Sequence, residues 1–198
     1  AKITVSQVNK LSRDSEIEKF SIVLDDLESV ENTYSATEYG TYFHKLFELI
    51  DHNELKKGKT VEELSKELIL KNAITEYEYT KRAVEGVCRF YKTHIGKELI
   101  EADEVFKETP FLVRICAEEI FQNGGEENIL LQGTSDCYYI KDNKITLIDF
   151  KTNKNPDTKK IKKEYSRQRE LYAYAISKVT ELEVEKKVVY TSENGGII

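Results

Sequence analysis

Methionine is absent from this sequence, cysteine and proline are scarce, and no apolar run is long enough to cross a bilayer. Each absence excludes something. A membrane-spanning helix needs about 18–20 consecutive apolar residues, so no membrane partner is expected. The chain begins Ala-Lys-Ile-Thr-Val-Ser, without an initiating methionine and without the basic-then-apolar profile of a secretory signal. The expectation is a domain taken from a longer protein. The three cysteines, Cys88, Cys116 and Cys137, are widely spaced and form no CxxC pair. A disulfide framework is therefore not expected, and a reducing bacterial cytoplasm is; each thiol reads as a small buried hydrophobe. The two prolines, Pro110 and Pro156, sit near element boundaries. No repeat, low-complexity tract or linker divides the chain, so residues 1–198 read as one domain, with 1–100 mainly helical and 101–198 carrying the sheet.

Some chemistries are also missing. There is no Gly-x-Ser-x-Gly motif and no Cys/His nucleophile arrangement. Gly58-Lys59-Thr60 resembles the end of a phosphate-binding loop, but Asn53 stands where the first glycine is required and no strand precedes it. The pairs Glu118-Glu119 and Glu126-Glu127 flank a turn and read as solvated. An excess of basic residues is lacking too: the net charge is −6, which runs against a stand-alone nucleic-acid binder. Bound divalent ions would reverse the local sign, and a larger parent protein would supply a basic track.

Helical periodicity dominates the first half. Ser6 reads as the cap of a helix to about Phe20. Thr37 caps a second helix, with Tyr39, Phe43, Leu46, Phe47 and Ile50 on one stripe. Thr60 and Glu63 form a capping box ahead of Leu64, Leu68 and Ile69. One long helix is expected from about Glu76 to Glu98. The pattern then changes to strands: Val105–Glu108 and Phe111–Ile115, split by Pro110; Ile129–Gln132 continuing through Cys137–Ile140; a turn at 141–144; and a return strand, Ile145–Phe150. Asn123-Gly124-Gly125 reads as a turn. A helix over about Thr158–Val179 and a strand over Val184–Tyr190 complete an α/β domain with a mixed central β-sheet flanked by helices.

What is present is a set of acids at strand ends. Leu147-Ile148-Asp149-Phe150-Lys151-Thr152 ends an apolar run in a carboxylate, an aromatic and a lysine. Strand alternation puts Asp149 and Lys151 on one face and Phe150 on the other. Asp136, in Gln132-Gly133-Thr134-Ser135-Asp136, lies across the hairpin. Two carboxylates and an ammonium suit a hard cation such as Mg2+ or Mn2+, and suit metal-assisted hydrolysis of a phosphodiester. Either aspartate alone would read as a turn former, and Lys151 alone as a surface ion pair. Glu108 reads equally as a third carboxylate or a solvated edge acid, with Glu104 the alternative. His44 lies beside Phe47 at the border of the apolar stripe, with Gly40 one turn below it clearing space for a close neighbour. Alone it reads as structural. Tyr165, Gln168 and Tyr172 share a helical face; the glutamine has no packing role and would reach a phosphate or hold Lys151. Ser166, Arg167 and Arg169 are candidate contacts to a nucleic-acid backbone.

The ordered set Gly40-Thr41-Tyr42-Phe43-His44, Glu108-Thr109-Pro110-Phe111, Gly133-Thr134-Ser135-Asp136, Ile148-Asp149-Phe150-Lys151-Thr152 and Gln168-Arg169-Glu170-Leu171-Tyr172 resembles RecB-type nuclease domains of the PD-(D/E)XK superfamily. It is most like the C-terminal nuclease domains of AddA-type subunits of bacterial ATP-dependent helicase–nucleases. The likeness runs from about Gly40 to Tyr172. Asp136 follows Ser135 where the superfamily name has Pro-Asp, a departure common to the RecB-type branch. The resemblance implies a restriction-endonuclease-like core and Mg2+-dependent cleavage of DNA, single-stranded for choice, in recombinational double-strand-break repair. It implies His44, Asp136, Asp149 and the Phe150 carbonyl as metal ligands, Lys151 as catalytic lysine, Glu108 as an additional acid, and Gln168 with Tyr172 as the Gln-x-x-x-Tyr element. It further implies two partners, the rest of a parent helicase chain and a second nuclease subunit. Some relatives clip the domain with four cysteines around an iron–sulfur cluster; three dispersed cysteines argue against one here. Two other readings stay open: a non-catalytic module that holds DNA or docks a partner protein, and a metal-dependent phosphoesterase acting on small nucleotides.

Overall fold

The computed structural model describes residues 2–4, 36–76, 81–119, 126–152 and 158–198. The helix read from Ser6 to Phe20 and the Asn123-Gly124-Gly125 turn lie outside them.

The sheet is six-stranded and mixed. Strands β1 (Lys2–Thr4), β3 (Asn128–Lys141), β4 (Lys144–Lys151), β5 (Glu183–Thr191) and β6 (Gly196–Ile197) follow in that order, and β2 (Glu104–Cys116) pairs with the other side of β3. β2, β3 and β4 form an antiparallel meander. β1 lies parallel to β3, with Lys2 opposite Leu130 and Thr4 opposite Gln132. The β3–β4 turn places Asp142 and Asn143 at φ of 52° and 59°, the doubly left-handed turn that Asp and Asn tolerate and that matches strand twist. Helix α6 (Thr158–Thr180) carries the chain from β4 to β5, which run parallel.

Helices cover both faces, so the middle strand β4 is buried along almost its whole length and reads as a continuous apolar run. On one face pack α1 (Ala36–Leu49), α2 (His52–Lys56), α3 (Val61–Leu70), α4 (Lys81–Lys92) and α5 (His94–Ile100), with a core of α1, α4 and α5 side chains on Cys137, Tyr139, Ile148, Phe150 and Tyr190. On the other, Leu171, Tyr172, Ala175 and Ile176 of α6 cover Phe111, Leu131, Tyr138 and Leu147.

The α1 stripe follows from its spacing: Tyr39, Phe43, Leu46, Phe47 and Ile50 are each no more than 1% exposed. The helix starts at Ala36, one residue before the cap read at Thr37, a difference within the fraying of helix ends. The Thr60/Glu63 capping box forms, with Thr60 Oγ accepting from Glu63 N and Glu63 receiving the Thr60 N–H. Phe47 lies 4.4 Å from the Phe150 ring and stacks on Tyr91 at 5.9 Å. Phe47→Ala should cost about 3–5 kcal/mol in equilibrium chemical unfolding; a loss below about 1 kcal/mol would show that the helical layer is not the domain's core.

Two expectations need correction. The single helix read over Glu76–Glu98 is α4 followed by α5. Thr93 leaves the helical region at φ −70° and ψ 164°, and its Oγ accepts from Gly96 N, capping α5. The turn is tight enough that a Cβ on Gly96 would sit 2.2 Å from the Phe90 carbonyl oxygen. The two strands read on either side of Pro110 are one, β2. Among the described residues β2 pairs only with β3, and an edge strand tolerates a residue with no N–H to donate. The continuity does have a flaw, at Glu108.

Candidate metal centre

Lys107 faces Cys137 and Thr109 faces Ser135 across the β2–β3 ladder, so Glu108 and Asp136 stand opposite one another, yet they do not pair as ladder residues. Glu108 has φ of 44°, a conformation L side chains adopt at a cost. The strand's facing switches there: Phe106 packs on the α6 side, as do Phe111, Val113 and Ile115, five residues further on and out of phase. The turned side chain brings Glu108 Oε1 to 3.1 Å from His44 Nδ1 on α1. Glu104 is exposed and sits opposite Ile140, four residues along the strand. Of the two candidate acids, Glu108 is the one beside the histidine.

Asp136 is held by a different device. The β3–β4 ladder runs from Lys141↔Lys144 to Cys137↔Ile148 and stops. Beyond it the Phe150 N–H donates to Asp136 Oδ2 at 2.8 Å. The carboxylate thus takes the place of a ladder carbonyl where the strands part. Its other oxygen, Oδ1, lies 4.0 Å from His44 Nδ1. Phe150 is fixed in turn by rings at 4.4–5.4 Å from Phe47, Phe90 and Phe43. Gly40 brings α1 against the end of β4; a Cβ there would lie 2.8 Å from Thr152 Oγ1. The close neighbour that Gly40 makes room for is Thr152.

His44, Glu108 and Asp136 each offer one ligand atom within 4.8 Å of the others. The 3.1 and 4.0 Å separations from His44 Nδ1 are short enough for these atoms to share one small hard cation. Asp149 stands just outside this trio. Its carboxylate pairs with Lys151, whose Nζ lies 3.2 Å from Oδ1 and 2.9 Å from Oδ2. The pairing is imperfect: Oδ2 is buried and makes no hydrogen bond, although the ammonium is 2.9 Å away. A buried carboxylate oxygen with no donor is the kind of atom a cation satisfies.

Burial, and next the charge of Asp149, push Asp136 up to about 7. Burial works against charge on His44, but the Glu108 hydrogen bond and the charges of Asp136, Glu108 and Asp149 outweigh it and raise the imidazole's pKa. Asp136 and His44 are therefore the groups that hold protons where a dication would sit. The donor set of carboxylates and one imidazole suits Mg2+ or Mn2+, the imidazole favouring Mn2+.

Beside the centre, on the α6 side, runs a groove of about 830 Å³ lined by Thr4, Pro110, Gln132, Gly133, Thr134 and Tyr172. Gly133 lets the Phe111 ring lie across it, at 2.6 Å from where a Cβ would stand. Phe111 meets Tyr172 edge-on at 5.4 Å, and Gln168 Nε2 donates to the Tyr172 hydroxyl at 3.2 Å. Gln168 therefore orients a tyrosine. Arg169 is partly buried on α6; the side chains of Tyr165 and Arg167 lie outside the described residues.

Lys107 has no counterpart among the residues singled out from sequence. Next to Glu108, it donates to the carbonyl oxygens of Phe47 at 2.9 Å and Ile50 at 2.5 Å. Burial draws its pKa down to about 8, leaving it an ammonium at neutral pH. The available signal was the absence of any basic residue in the last turn of α1, a helix end that needs a cation from elsewhere.

Residues 19–196 match the sequence profile of the PD-(D/E)XK nuclease superfamily. The chain is 34% identical to the A subunit of an ATP-dependent helicase/nuclease from Bacillus cytotoxicus over 176 residues, covering 81% of this chain and 14% of the relative. It is 29% identical to the protein of that name from Clostridium kluyveri over 79% of this chain and 13% of the relative, and 28% identical to the one from Clostridium novyi over 95% and 16%. It thus spans about one seventh of the length of these relatives. Among the described residues no helix is long and apolar enough to cross a membrane. With its mixed sheet between helical layers, and with acids and a lysine where its strands part, the chain belongs to the PD-(D/E)XK nuclease superfamily.

Proposed function

We propose that this domain hydrolyses phosphodiester bonds in DNA with a divalent cation, Mg2+ or Mn2+, as the nuclease part of a cytoplasmic ATP-dependent helicase–nuclease in recombinational repair. The observation that carries the reading is the convergence of His44, Glu108 and Asp136 beside the Asp149–Lys151 pair, in a chain of this superfamily. His44, Asp136, Asp149 and the Phe150 carbonyl hold the ion, and Glu108 adds a further carboxylate. When bound, the ion supplies Lewis acidity toward the phosphate and lowers the pKa of water. The chain's own groups do the rest. Lys151, only 16% exposed, offsets negative charge growing on the phosphoryl oxygens and orients the attacking water. Asp149 holds the ammonium in place. Gln168, Tyr172 and Arg169 line the approach of the DNA backbone, and Arg167 is a candidate contact on its sequence position alone. The groove beside Gly133 is the path we assign to an unpaired strand. Unwinding of double-stranded substrate would fall to the rest of a parent helicase chain of the relatives' size, with a second nuclease subunit as a separate partner.

The test is cleavage of labelled single-stranded oligonucleotides in Mg2+ and in Mn2+, with mononucleotides alongside. Lys151→Ala should lose cleavage by about 10²–10³-fold, the scale of one charge-stabilising donor, and should retain metal binding by calorimetry, since an ammonium is no ligand. Cleavage at the parent rate would remove Lys151 from the mechanism. Turnover of mononucleotides alone would replace the nuclease reading with that of a small-molecule phosphoesterase. Retention of DNA without metal-dependent cutting would make the domain a docking module.

A further inference from the structure

In a regular strand consecutive side chains point to opposite faces. Lys107 and Glu108 break that rule: both reach α1. Lys107 Nζ caps the helix C-terminus through the carbonyls of Phe47 and Ile50, approaches Tyr91 Oη at 3.4 Å, and lies 4.6 Å over the Phe47 ring. Glu108, with its φ of 44°, meets His44 one turn earlier on the same helix. The last carbonyls of a helix have no intrahelical donors, and α1 provides no basic side chain of its own for them. A backbone conformation of this kind costs about 1–3 kcal/mol and persists only where its surroundings dictate it. The adjacent anchor is the surrounding that dictates it here: with Nζ tied to the end of α1, the chain's next residue must turn back to present its carboxylate to His44.

We propose that Lys107 is a positioning residue of the metal centre, a two-point clamp with Glu108 that locks β2 to α1 and sets the spacing of the Glu108, His44 and Asp136 ligands. This rests on the nuclease reading above. Lys107 Nζ is committed to main-chain carbonyls of α1 and its end and is assigned no contact with DNA or ion. Its loss should loosen the ligand set and raise the metal requirement without altering the chemistry once the ion is bound.

Mn2+ affinity by calorimetry, and the Mn2+ concentration giving half-maximal cleavage, are measured for the parent, Lys107→Met, Lys107→Arg and Val87→Ala. Val87 is fully buried on α4, so its truncation destabilises the same core without touching the clamp. Lys107→Met should need at least tenfold more Mn2+ for half-maximal cleavage, reach a rate within threefold of the parent at saturation, and keep KM for the oligonucleotide. Lys107→Arg, which keeps a cation donor, should recover most of the affinity. Val87→Ala should lose thermal stability and keep Mn2+ affinity. Lys107→Gln, which retains two N–H donors and no charge, replaces the methionine variant if that chain does not fold, and should show the same rise in metal requirement. Equal Mn2+ affinity in the parent and the Lys107 variants, or an equal loss in Val87→Ala, overturns the clamp alone. A parent domain that binds no Mn2+ overturns the metal centre and the clamp with it.

Discussion

Replacing Asp149 with alanine should reduce metal-dependent DNA cleavage at least about 10³-fold, the largest loss expected of any single substitution in this domain. Two effects add. The carboxylate is only 4% exposed and carries an oxygen with no hydrogen-bond donor, so it is the acid with the most to gain from a cation and the most to lose as a ligand. It is also the counter-ion of Lys151. Without it, the largely buried ammonium would lose its counter-ion and compete with the ion for Asp136 and Glu108. A charge-stabilising group alone is worth about 10²–10³ in rate; losing a ligand and misplacing the lysine together should exceed that. Asp149→Asn keeps the shape and isolates the charge. It should relieve Asp136, whose pKa Asp149 raises, while leaving the Lys151 ammonium without its counter-ion, and should abolish cleavage. A variant that folds and cuts at the parent rate would remove Asp149 from the site.

The second large effect is a reversal of pH dependence on adding metal. Asp136 is raised from 3.8 to about 7, so between those values the folded protein holds a proton that the unfolded chain has released. Stability from this group is fully present below about pH 4, declines through the window and is gone above about pH 7. His44, raised above 6.5, acts with the same sign: its contribution is present below pH 6.5 and lost as pH rises through the folded value. The metal-free domain should therefore lose stability at this site from pH 5 to pH 8. A dication replaces those protons, so its stabilisation should grow over the same range. At 100 times Kd the gain is about 2.7 kcal/mol, or about 5–10 °C for a domain of this size. Thermal scans with and without Mn2+ at pH 5.5 and 8 should show a small shift at the first and the full shift at the second. Asp136→Asn should remove the Asp136 part of the pH slope, leaving the part that His44 keeps through Glu108, and most of the Mn2+ response. Exposed pairs such as Glu54 with Lys57 and Lys59 titrate with the opposite sign, but solvent screens them, and the comparison with Asp136→Asn cancels them. A Mn2+ shift that is the same at both pH values would mean that the ion does not displace these protons.

Features encoded by neighbouring residues were legible in the sequence. The α1 stripe and the Thr60/Glu63 box are written at helical spacing, and the buried run of β4 at strand spacing. The break at Thr93 was not legible, because a threonine inside a helix and one capping the next look alike until Gly96 folds against Phe90. The site divided in the same way. The Asp149/Lys151 phase follows from the pleat. The meeting of Glu108 with Asp136 depends on the β2–β3 register, and that of Glu108 with His44 on a backbone twist no side-chain pattern announces. His44 stood out beside Gly40, but alone it read as structural and its place among ligands came only from the likeness to a family; the structure sets it against Glu108. Lys107 was invisible for the same reason, since its acceptors are main-chain carbonyls about 60 residues earlier.

In the proposed function, the parting of β3 and β4 leaves a socket for a hard dication at the end of the sheet beside α1. Anomalous scattering from a crystal soaked in Mn2+ tests it most directly. The account predicts a peak within bonding distance of His44 and Asp136, with Asp149 turned toward it and Lys151 excluded from its shell. A domain left without a peak there at millimolar Mn2+, or one that binds the ion at the solvated acids of the surface, would contradict it.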